Sequence, residues 1–511
     1  MVNLGQVQTV TIIALVLFSA MMIGIGLYTS QRAKNIYGFL LGSRSIGPWM
    51  SAFAYGTSYF SAVIFVGYAG NHGWNIGIGS IWIGIGNAVL GCLLAWLVLA
   101  KRTRSLTHKL GAKTMPEFFE ARYSSQAMKI YAAVIIFVFL VPYSAAVYKG
   151  LGSMFNVIFP DVPVWVIMLF IAVLSAIYLV LGGYVATSHT DFVQGIVMIA
   201  GIVMMVGILL NHQSVGGLGG AIEKIRILGE DDGVSSLTDI FGGNKWSFLA
   251  SNILLTSFGT WGLPQMVGKY YAIKDEKSIR YATVIATLFS LIIGIGAYFV
   301  GFLGRIFLNN TLPEGGVDYV VPNTLMAALG DTNLFTTAVL ALILLLLLSA
   351  SMSTLSSVVL TSASSISVDL LPVIKPDYDK RKQMILTRAL CLLFVGFSFL
   401  FAVMKISVIV NIMSFSWGVV SGCFIGPFIW GIYSKKISRA GAWCGLLSGF
   451  LVVLGLTVYK TITNDFSAAL NFAPISGVAA MAVSFIIVPL VSAFTAPVEN
   501  NSISTERDAV M

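Results

Sequence analysis

The sequence predicts an all-α, polytopic membrane protein of about thirteen transmembrane helices, and three observations point to it. Hydrophobic residues make up 57% of the 511 and charged residues only 10%, with a mean hydropathy of +0.89, more apolar surface than a soluble domain can place against water. Apolar runs long enough to cross a hydrocarbon core of roughly 30 Å as helices recur from end to end. These runs are continuously apolar, without the alternation of lipid-facing and lumen-facing residues that a membrane barrel requires.

In order, the expected spans are Thr9–Tyr28, Pro48–Ala69, Gly77–Ala100, Ile130–Phe155, Val164–Leu181, Phe192–Leu210, Trp246–Met266, Tyr281–Leu303, Phe335–Val359, Ile385–Val403, Ile406–Ile432, Ala440–Val458 and Ile475–Phe494. The first run has neither a basic leader nor a small-residue cleavage site, so it reads as a retained helix. Residues 1–497 form a single transmembrane domain in this reading, followed by a short polar tail, 498–511. Cys92, Cys391, Cys423 and Cys444 all fall in expected spans without metal or redox spacing, which favours packing.

The net charge of +9 reports topology, because the basic residues sit in short loops between the spans. Arg32, Lys34, Arg44 and the stretches Lys101–Lys129, Lys269–Arg280, Lys375–Arg388 and Lys435–Arg439 share one side. Lys149, Lys224, Arg226, Lys245, Arg305, Lys405 and Lys460 fall on the other, so the positive-inside bias predicts an external N-terminus, a cytoplasmic C-terminus and a plasma-membrane location. The external segment His212–Lys245 has room for a short surface helix. In the loop before the fourth span, Thr114 precedes Pro116, a helix-capping arrangement that predicts a short amphipathic helix at the gate.

Two spans look interrupted. The second reads Phe53-Ala-Tyr-Gly-Thr-Ser-Tyr-Phe-Ser61 and the seventh Thr256-Ser-Phe-Gly-Thr-Trp-Gly-Leu-Pro264, each mixing glycine or proline with hydroxyls. Irregular backbone at membrane depth is tolerated only where it is buried in protein or lines a cavity, which marks a ligand site. Five helices separate the two spans, and an odd offset inverts a repeat in the bilayer, giving halves of spans 2–6 and 7–11. The alternative is that Gly56, Gly259 and Gly262 serve close helix packing.

The ninth span carries six hydroxyls between Leu348 and Ser357. Na⁺ prefers oxygen ligands, and hydroxyls with unwound-helix carbonyls can replace its water without a buried carboxylate, making Ser353 and Thr354 candidates. Such hydroxyls also bond back to their own helix or to neighbouring helices. Asp191 begins the sixth span after a turn at Tyr184–Thr190, where it suits an ion path or a helix cap. Lys149, about one turn from the interface, is expected to snorkel to water. His72 and His212 fall on the outer side and His108 and His189 on the cytoplasmic side, with no metal cluster, proton relay or catalytic triad among them. The chain is not expected to be an enzyme, to hold an organic cofactor, to bind nucleic acid, or to need an obligatory protein partner.

At these residues the sequence resembles the sodium:solute symporter family, especially its bacterial sodium/proline and sodium/pantothenate branches. The matching stretches are Leu41-Gly-Ser-Arg-Ser-Ile-Gly-Pro48, Thr114–Tyr123, Leu181-Gly-Gly-Tyr184 with Thr190–Gln194, Ser351–Ser356, and Gly431 through Gly449. The resemblance implies a LeuT-type core of ten helices, preceded by one and followed by two, cycling by alternating access. It implies a Na⁺ site made of the carbonyls of Thr57, Phe60 and Ala350 with the hydroxyls of Ser353 and Thr354. It also implies a solute cavity shaped by Tyr59, Ser61, Tyr143, Thr260 and Trp261, while Asp191 is expected on the ion pathway from its place near membrane depth.

Two departures bear on substrate. The sodium/proline transporters carry an aspartate where this chain has Tyr59, and aromatic residues at Thr256 and Thr260, so that the seventh span resembles the pantothenate branch more closely. The expected activity is Na⁺-driven symport of a small organic solute. The N-termini of interrupted helices favour a carboxylate: an amino acid such as proline, a pantothenate-like acid or a monocarboxylate. A passive channel, a transport-like sensor and a proton-coupled transporter are the alternatives.

Overall fold

The computed structural model describes residues 4–30, 36–231, 235–329, 334–376, 378–404 and 406–498. Arg32, Lys34, Lys405 and the tail after residue 498 lie outside the described residues. Among the described residues the fold is helical, with two isolated backbone bridges, Ile46 to Ile273 and Ser438 to Pro497.

The membrane helices are α1 (Leu4–Ser30), α2 (48–76), α3 (81–109), α4 (Gln126–Ile158), α5 (164–182), α6 (184–211), α7 (246–272), α8 (Glu276–Phe307), α9 (334–374), α10 (Lys380–Val403), α11 (Ile409–Tyr433), α12 (Arg439–Thr463) and α13 (Ala473–Ala493). Each of the thirteen expected spans falls on one of them. Ten helical runs among the described residues are long and apolar enough to cross a membrane. One of these, Val63–Lys109, holds the second half of α2 and the whole of α3, because Gly77 (φ 76°) turns the chain between them.

Helix starts outside the apolar belt are set by side-chain caps that satisfy otherwise free amides. Ser125 accepts from the Met128 amide at the start of α4, Asp275 from Ser278 at α8, and Ser438 from Gly441 at α12. The expected gate helix is present as Met115–Tyr123. Thr114 accepts from the Glu117 amide, and the Glu117 carboxylate accepts in return from the Lys113 amide. The expected surface helix is Gly217–Asp231, laced by Arg226 to Glu223 and Glu230; this exposed pairing holds the Glu223 carboxyl below its usual range.

Burial places α9 and α11 at the centre, with 83% and 94% of their most apolar stretches buried, and α1, α10 and α12 at the rim, with 22%, 33% and 33%. The second half of α2 packs on α8 backbone to backbone. A Cβ at Gly301 would stand 1.9 Å from the Ala69 carbonyl oxygen, and one at Gly73 would stand 2.1 Å from the Gly301 carbonyl carbon. Small residues let membrane helices approach in this way, where lipid supplies no hydrophobic drive between helices.

Three expectations are corrected. The stretch Tyr184–Thr190 is helical, because the bend falls at Gly183 (φ 56°), so Asp191 lies two turns inside α6 and is not its cap. Lys149 does not snorkel: its ammonium lies 2.8 Å from the Asp318 carboxylate and donates to the Ser407 carbonyl, so that it neutralises a buried acid that would otherwise be left without a counter-charge. Lys269, counted among loop cations, is 2% exposed in α7. His72, on the expected outer side, is buried between the Tyr68 and Phe248 rings.

Candidate functional site

Both interrupted spans are broken. In α7 the break is Leu263 (φ −79°, ψ 120°), the residue before Pro264, which the proline ring pushes out of the helical region. In α2 the first half ends at Phe60 (φ −99°, ψ 102°), whose carbonyl turns away from the helix axis. Gly56, Gly259 and Gly262 do serve close packing: a Cβ at each would press on Phe289, Trp417 and the Ser421 backbone respectively.

The α2 break lies against the hydroxyl run of α9. The freed Ala62 amide donates to Ser351 Oγ at 3.0 Å, so the neighbouring helix supplies what the broken ladder lost. One turn away, Thr354 Oγ1 stands 3.0 Å from the Ala350 carbonyl oxygen, 3.2 Å from that of Ser58 and 3.4 Å from that of Thr57. Ser353 Oγ lies 2.8 Å from Thr57 Oγ1, which also donates to the Phe53 carbonyl. Thr57, Ala350, Ser353 and Thr354 are therefore gathered into one neutral, oxygen-rich cluster with Phe60 at its edge, all of them buried. The Ser58 carbonyl joins it as a contributor the sequence reading missed.

A polar chain continues from the cluster. Ser58 Oγ lies 2.9 Å from Ser357 Oγ, which accepts from Lys269 Nζ at 2.9 Å. Lys269 Nζ lies 3.8 Å from the Asp191 carboxylate, which is fully buried beside Ser353 and carries no hydrogen bond of ordinary length from the described residues. Lys269 and Ser357 line a small cavity of ≈ 60 Å³ with Tyr184, Thr114 and Asp369, room for a few waters at most. It reaches Lys113 at the foot of the helix Met115–Tyr123, so the polar chain from the oxygen cluster runs toward the side that carries the basic loops.

On the other side of the cluster, aromatic rings close the path. Tyr59 stacks on Trp417 at 6.4 Å between centroids, and Tyr143 meets the same indole edge-on at 5.6 Å. The Tyr143 hydroxyl lies beside Ser61 and Thr354, and Tyr59 donates to the Thr256 carbonyl at 2.7 Å. Tyr59, Ser61 and Tyr143 are thus brought together, and Trp417 of α11, not foreseen, joins them. Thr260 and Trp261 stand apart. Thr260 donates into the Ser257 and Gly91 carbonyls, while Trp261 donates to Leu90 and lines an apolar groove of ≈ 320 Å³ with Phe258, Ile425 and Phe485.

Known proteins resemble this chain over most of its length. The high-affinity proline transporter PutP of Bacillus subtilis (strain 168) is 28% identical over 440 residues, covering 85% of this chain and 89% of PutP. The osmoregulated proline transporter OpuE of the same strain is 28% identical over 452 residues, covering 87% of this chain and 88% of OpuE. The sodium/proline symporter 2 of Staphylococcus saprophyticus subsp. saprophyticus is 28% identical over 459 residues, covering 87% and 85%. Among solved structures, a Na⁺-coupled sialic acid symporter in a substrate-bound outward-open state superposes with a TM-score of 0.77 at 17% identity. That match covers 96% of this chain and 98% of the symporter, and it establishes a shared fold. Residues 39–449 match the model of the sodium:solute symporter family, and the chain belongs to that family.

Proposed function

We propose that the chain couples inward Na⁺ movement to uptake of a small carboxylate-bearing solute, with Na⁺ held between α2 and α9. Family membership makes it a Na⁺-coupled solute transporter of the membrane. The observation that carries the site is the convergence of the Thr57, Ser58 and Ala350 carbonyls on Thr354 Oγ1, with Ser353 Oγ alongside. These oxygens are neutral and drawn from two helices, so a hard cation arriving among them ties the broken α2 to α9.

In this reading Na⁺ enters first and steadies the α2 break next to Ser61 and Tyr143. Solute then binds against Tyr59, Tyr143 and Trp417, and each ligand raises the affinity of the other by the same factor. The aromatic closure on one side and the Lys269-lined cavity on the other suit the inward-directed half of an alternating-access cycle. The cavity side carries the basic loops, which supports an external N-terminus and a cytoplasmic C-terminus. Each Na⁺ crossing inward releases about 2.3 kcal/mol per 100 mV, before the concentration gradient is added.

Proline is the first solute to test, because three relatives are named proline transporters. Tyr59 and the threonines of α7 make pantothenate-like acids and monocarboxylates the next. The experiment is uptake of labelled proline, pantothenate and lactate into liposomes bearing the purified protein. An inward Na⁺ gradient should drive accumulation of one of them, and Ser353→Ala/Thr354→Ala should abolish it. Accumulation that follows an imposed proton gradient with no Na⁺ present would refute the assignment.

A further inference from the structure

The groove beside Trp261 has a chemistry of its own. Leu254, Phe258 and Trp261 of α7, Ile425 and Ile429 of α11 and Phe485 of α13 wall a space of ≈ 320 Å³ and present only apolar surface to it; the Trp261 indole N–H points away, to the Leu90 carbonyl of α3. Leu254 and Phe485 are exposed, so the groove opens on the perimeter of the bundle, where the fold meets lipid. Water does not fill such a space, because it needs polar partners. One end of the groove carries charge. Tyr433 continues the face of Ile425 and Ile429 by one more turn of α11, and its hydroxyl donates to the Val98 carbonyl of α3. The Arg102 guanidinium lies over the Tyr433 ring, 4.2 Å from its centroid. Neighbouring Lys101 is paired with Glu276. Arg102 has no carboxylate partner among the described residues, and neither have the exposed Lys435 and Lys436, which follow Tyr433 at the end of α11.

We propose that the groove is a binding site for an anionic phospholipid of the leaflet on the basic-loop side, one acyl chain lying between α7, α11 and α13 and the phosphate resting on Arg102, Lys435 and Lys436. The two ends of the site match the two ends of that molecule. An apolar slot at membrane depth takes the chain, and uncompensated cations one turn beyond it take the negative headgroup. Arg102 is suited to the phosphate because its guanidinium, stacked by one face on Tyr433, keeps its N–H edge free for paired hydrogen bonds. A zwitterionic lipid offers the same chains without the net charge, so the cations select the headgroup. Trp261 stands two residues before the α7 break at Leu263, and a chain lodged against it braces the broken helix on α11 and α13. The site is independent of the ion cluster and of the solute.

Mass spectrometry of the intact full-length protein in detergent, after addition of phosphatidylglycerol or phosphatidylcholine, tests it without knowledge of the solute. Wild type should retain a single phosphatidylglycerol in preference to phosphatidylcholine. Arg102→Gln should lose that preference, and Ala482→Trp, which fills the groove from its exposed α13 wall, should lose the lipid. Val483→Trp places the same bulk on the neighbouring exposed position, outside the groove, and should retain it. Phosphatidylglycerol brominated in its acyl chains should also quench wild-type tryptophan fluorescence by more than that of Trp261→Phe, the difference being the share of that one indole. A wild type that retains no phosphatidylglycerol, or retains both lipids equally, overturns the proposal. So does retention undiminished in Arg102→Gln or Ala482→Trp, or quenching unchanged in Trp261→Phe, which would put the chain elsewhere.

Discussion

Replacing Thr354 with valine tests the ion site at the atom where it converges. The side chain keeps its branched shape and loses only the hydroxyl oxygen, which stands within 3.0–3.4 Å of three carbonyl oxygens from α2 and α9. Without Na⁺ the lost hydroxyl is mainly a helix back-bond to Ala350, and such bonds contribute about 1 kcal/mol or less to stability. With Na⁺ the hydroxyl is a direct ligand, and a polar contact to a charged group is worth about 1.5–3 kcal/mol. The half-saturating Na⁺ concentration should therefore rise roughly ten- to a hundredfold, with a much smaller change in the melting temperature of the ion-free protein. Thr354→Ser keeps the oxygen and should stay near wild type. The assay is initial uptake into liposomes against external Na⁺ at fixed membrane potential. A Thr354→Val protein whose Na⁺ dependence lies within about twofold of wild type would refute the ligand assignment.

Two further perturbations probe different links. Lys149→Met strands Asp318, which is buried and otherwise holds the Ile409 amide at the start of α11; it should destabilise the protein by about 3 kcal/mol or more, read as a lower unfolding temperature in detergent, with partial recovery in Lys149→Met/Asp318→Asn. Trp417→Ala removes the indole on which Tyr59 and Tyr143 pack, and should raise the half-saturating solute concentration by about tenfold while shifting the Na⁺ dependence less. A shift confined to Na⁺ would place Trp417 outside the solute cavity.

What the sequence made legible was local. The thirteen apolar spans and the capped gate helix follow from length, hydropathy and single residues such as Thr114 and Pro116. The α7 break is legible because proline constrains the residue before it, here Leu263. The α2 break shows in the hydroxyl-rich stretch around Gly56, although the chain leaves the helix at Phe60, where the α9 serine Ser351 takes up the freed amide. The partnerships across the fold were not legible. Asp318 is remote in sequence from Lys149, so lysine near an interface reads as snorkelling until the turn that carries the acid is placed beside it. Lys269 reads as a loop cation because α7 resumes after Pro264 and carries the residue back into the interior. Trp417 lies in an unbroken span where nothing in the sequence singles it out, and only the packing of α11 on α4 and α7 brings its ring to Tyr59 and Tyr143. Thr260 and Trp261 show the opposite error: close to the break in sequence, they point toward α3 and the outer groove.

The central claim is that a Na⁺ gradient alone drives solute inward through the cluster between α2 and α9. The most direct test is proline accumulation in proteoliposomes with an inward Na⁺ gradient, with pantothenate and lactate alongside, repeated after that gradient alone is collapsed. The account predicts accumulation above the external concentration that vanishes when the Na⁺ gradient is removed and is absent from Ser353→Ala/Thr354→Ala. Uptake that merely equilibrates, or that persists undiminished without a Na⁺ gradient, would contradict it.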